Sequence, residues 1–62
     1  MPTVNYRILK LQNGDFEKVA ERETEKEAIR CATYQAIGTE SGTVFRVVRD
    51  NPFKVITEVV KS

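Results

Sequence analysis

The chain has no histidine and a single cysteine, Cys31. That removes imidazole-based acid–base catalysis, an internal disulfide and an ordinary structural zinc site. Carboxylates remain, and five of the nine fall in the run "EKVAERETEKE" from Glu17 to Glu27. A pair of carboxylates could serve as acid and base, but here they are mixed with lysine and arginine. Such a run reads as the solvated approach to a helix rather than as an active site. Gly14, Gly38 and Gly42 fall at turn or cap positions, not in a phosphate-cradling pattern. Cys31 borders the apolar side of a helical segment, and Arg30 points about 100° away from it on the wheel. It therefore reads as a small, half-buried hydrophobe rather than an activated thiol. The sequence predicts no catalytic residue, no cofactor, no metal and no small-molecule substrate, so an enzyme is not expected.

The remaining reactive character lies in arginines set among aliphatic residues. "YRILK" at Tyr6 to Lys10 and "FRVVR" at Phe45 to Arg49 share one pattern: aromatic, arginine, two aliphatics, a basic residue. In one copy "LQNGDFEKVAE" follows, and in the other "DNPFKVITE". Each continuation holds a short polar turn, a phenylalanine (Phe16, Phe53) and a mixed stretch ending in glutamate (Glu21, Glu58). The expectation is one β-hairpin unit used twice.

The elements that would position these residues follow from local signals. Tyr6, Ile8, Leu9 and Leu11 favour a strand. Asn13-Gly14 marks a hairpin, because a type I′ turn needs positive φ at both central residues. Phe16 to Arg22 returns as a polar edge strand, with Phe16 and Ala20 expected on one side and Val19 on the other. Thr24 and Glu27 have capping-box spacing, and Gly38 follows the last periodic residue, so a helix is predicted over about Glu25 to Ile37. Its inner face is expected to hold Ala28, Ile29, Ala32 and Ala36, with Lys26, Arg30 and Tyr34 opposite. Val44 to Arg49 reads as a strand. The segment 53–60 is ambiguous. Asn51-Pro52 could open a helix, whereas Val55, Ile56, Thr57, Val59 and Val60 are β-branched and favour a strand. The repeat tips the balance to a strand.

The predicted fold is therefore α+β, in the order β-β-α-β-β: a four-stranded antiparallel sheet with one helix on one face, in a single domain spanning 1–62. The alternative is β-β-α-β-α with a C-terminal helix. Tyr6, Ile8, Phe45 and Val47 are expected under the helix. Arg7, Leu9, Leu11, Val44, Arg46 and Val48 are expected on the uncovered face.

No run approaches the roughly 18 apolar residues of a spanning helix, and the start lacks a signal-peptide pattern, so a cytoplasmic protein away from membranes is expected. Area scaling makes a domain of 62 residues marginal alone, which favours self-association. Net charge is only +1. The expected function is a non-catalytic protein-interaction module, a homodimer or a binder of another protein, acting through the open sheet face or an edge strand. Leu9, Leu11, Val44, Val48, Arg7 and Arg46 would form its contact surface. The alternative is a DNA- or RNA-binding module using Arg7, Arg46, Arg49 and Lys54, although a nucleic-acid module is usually more basic.

Overall fold

A computed structural model describes residues 5–50 and 52–61 of the chain. Strand β1 (Tyr6–Gln12) and strand β2 (Asp15–Arg22) form a hairpin. Helix α1 (Glu25–Ile37) follows, then strands β3 (Val44–Arg49) and β4 (Lys54–Val60). The four strands make one antiparallel sheet in the order β2-β1-β3-β4. This is the β-β-α-β-β architecture expected from the sequence. The C-terminal helix alternative falls away, because the β-branched run from Val55 to Val60 pairs with β3. Asn51, the candidate helix cap or turn residue, lies outside the described residues.

Local chemistry accounts for the element ends. Asn13 and Gly14 both have positive φ, at 53° and 85°, as a type I′ turn requires. Thr24 has extended φ and ψ, and its hydroxyl accepts from the Glu27 N–H at 3.2 Å, which caps the start of α1. At the other end Gly38 stops the helix at φ −92°, without the left-handed conformation. The Thr39 hydroxyl instead donates to the Ala36 carbonyl, and the Lys61 ammonium donates to that of Ile37. These bonds satisfy carbonyls that the helix end leaves free.

The core is one layer deep. Ile8, Phe45 and Val47 on the sheet meet Ala28, Ala32 and Ala36 on the helix, and Tyr6, Ala20, Cys31, Ile56 and Val59 pack around them. Three alanines let the helix backbone sit close to the strands, leaving sheet side chains to fill the space. The helix thus covers the face expected from the sequence. Ile29 is only half-buried and Ile37 is exposed, so the apolar stripe of α1 is narrower than the wheel suggests.

The two similar sequences are neighbours at the centre of the sheet. β1 and β3 pair antiparallel, Tyr6 opposite Arg49, Ile8 opposite Val47 and Lys10 opposite Phe45. A pseudo-two-fold axis passes between Ile8 and Val47 and relates the hairpins. Each hairpin also breaks register at the corresponding place, between Ile8 and Leu9 in one and between Val47 and Val48 in the other. Val19 in β2 and Ile56 in β4 are the extra residues of these bulges. The bulge corrects one expectation. An extra residue reverses the alternation of side chains, so Phe16 and Ala20 lie on opposite faces. Ala20 pairs with Ile8 over the core, while Phe16 pairs with Leu11 on the open face.

Candidate interaction surface

Strand register divides the open face into rows that run across the sheet. One row is Glu21, Arg7, Val48 and Val55, from β2 to β4. The next is Lys18, Leu9, Arg46 and Glu58. The pseudo-two-fold axis exchanges these two rows, so each central strand presents an arginine beside a glutamate of its outer strand. A third row holds Phe16 and Leu11, paired with each other, and Val44 and Val60, paired with each other. Leu11 and Val44 come together because each lies one step beyond the Lys10–Phe45 pair. With strands ~4.8 Å apart, this apolar row spans about 14 Å.

Its symmetry counterpart is polar on the two central strands, where Asn5 and Asp50 are joined by a hydrogen bond from the Asp50 N–H to the Asn5 carbonyl. The face is therefore apolar at one end and charged at its centre. Leu11 is 37% exposed and Val60 58% exposed, while Phe16 and Val44 are half-buried.

The two arginines take different partners despite their equivalent positions. Arg46 donates from Nε to Glu58 Oε2 at 2.7 Å, and its Nη2 lies 2.6 Å from the same oxygen. Its guanidinium also sits 4.3 Å from the centre of the Phe16 ring, reaching across β1. That geometry combines an ion pair with a cation–π contact. Arg7 turns to Asp50 instead, donating from Nη2 to Oδ1. The hydrogen bond to Asp50 and then its charge hold the Arg7 pKa above the ordinary arginine value; burial opposes them, and the charge of Glu21 adds to them. Lys18 lies 3.6 Å from Glu21 along β2.

All six residues expected on this face are there. Arg7, Leu9 and Leu11 alternate along β1, and Val44, Arg46 and Val48 along β3. They are not equally accessible. Val48 is only 1% exposed, so it presents almost no surface. It lies between Arg7 and Val55 in its row, and Arg46 is two residues away on the same strand. Leu9 is half-buried between Lys18 and Arg46 in its row. Two further members of the surface, Phe16 and Val60, were not anticipated from the sequence. Phe16 was hidden by the bulge, and Val60 by the unknown strand order. Of the four residues considered for nucleic acid, Arg7 and Arg46 share the open face. Arg49 pairs with Tyr6 and with Lys54, so those two cations belong to the helix side of the sheet.

Elsewhere the surface is shallow. A groove of about 460 Å³ between the end of β2 and α1 is lined by Arg22, Glu27, Arg30, Cys31, Tyr34 and Gln35. Another, of about 440 Å³, lies between the β1–β2 turn and the end of α1. Among the described residues no group of three or more acidic, histidine or cysteine side chains is placed to hold a metal ion. No helix among them is long and apolar enough to cross a membrane. Compared with known protein families, curated proteins and solved structures, the chain matches none.

Proposed function

We propose that this chain is a non-catalytic protein-interaction module whose contact surface is the open side of its sheet. The observation that carries the reading is the row Phe16, Leu11, Val44 and Val60. A solvated sheet face ordinarily turns to polar residues. Here four apolar side chains cross all four strands without interruption. The neighbouring row of Lys18, Arg46 and Glu58 would form a polar rim, as at protein interfaces with an apolar centre. Arg7 and Arg46 already hold carboxylates, which suits orientation of a protein partner better than neutralisation of phosphates. The nucleic-acid alternative draws less support, because its four cations are divided between two faces. A cytoplasmic setting fits the unpaired Cys31.

The test is capture on the immobilised chain, comparing the unaltered protein with Leu11→Lys and Val44→Lys. A specific protein retained by the first and lost by both variants, with circular dichroism unchanged, is the expected result. Retention unaffected by either substitution would remove the apolar row from the contact. Steeply salt-dependent binding to nucleic acid, lost in Arg7→Ala and Arg46→Ala, would replace the proposal with the alternative.

A further inference from the structure

The pseudo-two-fold axis provides an internal comparison between β2 and β4. Both are outer strands, both carry a bulge at the same place, and each holds a glutamate, Glu21 or Glu58, paired with an arginine of its central strand. What an outer strand of this sheet needs for folding is therefore visible twice. Between the bulged segments, Lys18, Arg22 and Glu23 of the first hairpin correspond to Val55, Val59 and Val60 of the second. Val59 packs against the core, but Val55 is 42% exposed and Val60 58% exposed. Strand β2 shows the charged edge that discourages pairing with another chain, whereas β4 keeps Lys54 and Glu58 but sets exposed Val55 and Val60 at the positions of Lys18 and Glu23. The backbone of β4 is also free on its outer side. Lys61 donates to the Thr43 carbonyl, so its amide points toward β3. By the alternation of an antiparallel ladder, Val59 also points inward, while Glu58 and Val60 direct their N–H and C=O groups away from the sheet.

We infer that β4 pairs with β4 of a second copy of this chain, joining two four-stranded sheets into one of eight strands. This rests on the reading of the chain as an interaction module, but it uses the edge rather than the apolar row. The edge is complementary to itself. An antiparallel two-fold arrangement near Glu58 sets Val60 of each copy against the Val55–Ile56 end of the other, apolar against apolar. The glutamates that meet near the axis each carry their own Arg46, so the centre is charge-balanced. A two-fold contact of this kind is closed and produces a dimer rather than a fibre.

Sedimentation equilibrium of the full chain, from roughly 10 μM to roughly 1 mM, reads the inference directly. The mass is expected to rise from 7.1 kDa toward twice that value. Val55→Lys with Val60→Glu, which gives β4 the residues of β2, is expected to hold the mass at 7.1 kDa with an unchanged fold. Hydrogen exchange on the unaltered chain provides a second measurement should the variant not fold: the Glu58 and Val60 amides become protected as concentration rises. A chain that stays monomeric at the highest concentration overturns the inference, as do Glu58 and Val60 amides that exchange freely throughout. So does association that survives the edge substitutions but is lost in Leu11→Lys. The first two results leave capture of a different protein by the apolar row untouched, the third moves self-association to that row, and loss of the capture alone leaves the edge contact standing.

Discussion

Arg46 shows how much one side chain does on this surface. It lies opposite Leu9 in the sheet, its guanidinium holds Glu58, and the same group sits over the Phe16 ring. The pair is partly solvated, with side-chain exposures of 34% and 42%, so water and salt screen it. A double-mutant cycle of Arg46→Ala and Glu58→Ala, followed by urea unfolding, is expected to give a coupling of about 0.5–1 kcal/mol that shrinks in high salt. The sequence alone placed Arg46 and Leu9 on this face, because period-two alternation does not depend on what lies next door. It could not pair Arg46 with Glu58 rather than another carboxylate, since that choice depends on strand register. Nor could it separate Val48 from Leu11. The two have the same pattern in their strands, but one lies between packed neighbours and the other near the sheet's end.

At the scale of elements, the helix was the most legible part. Thr24 and Glu27 fix its start, Gly38 its stop, and the alanines its inner side. Strand β4 was legible through its β-branched residues, once the repeat supplied a reason to expect a second hairpin. The bulges were not legible. A bulge breaks alternation without breaking the strand, and the sequence around Val19 carries neither glycine nor proline to announce it. Deleting Val19 tests its role. Removal leaves a regular ladder in which Lys18 and Ala20 keep their partners and their faces, so the strand should stay paired and lose only the local kink. The expected result is a stability change of at most about 1 kcal/mol with the Arg46–Phe16 contact retained. It would be read from thermal unfolding and from the ring-current shift on the Arg46 side chain. Loss of that contact would mean that the bulge itself holds Phe16 in place.

The whole molecule is two hairpins joined at their lead strands, with one helix closing one side. Its core contains few large side chains: Phe45, Ile8, Val47 and, on the other face, Val48 are the largest fully buried ones. A protein of this length has roughly 3–9 kcal/mol of stability in all. Ile8→Ala removes a fully buried side chain at the pseudo-two-fold axis and is expected to cost about 2–5 kcal/mol. That is a large part of the total, so the variant should unfold at a clearly lower temperature than the unaltered chain, as measured by calorimetry. An unchanged unfolding midpoint for Ile8→Ala would show that the centre of the sheet is not where its stability lies. The matched bulges have one more effect. Each adds right-handed coil to its own outer strand, and because they sit at corresponding positions the two wings of the sheet turn in the same sense. The uncovered side is consequently more twisted than a regular four-stranded sheet, and a body that fits it must carry a matching twist.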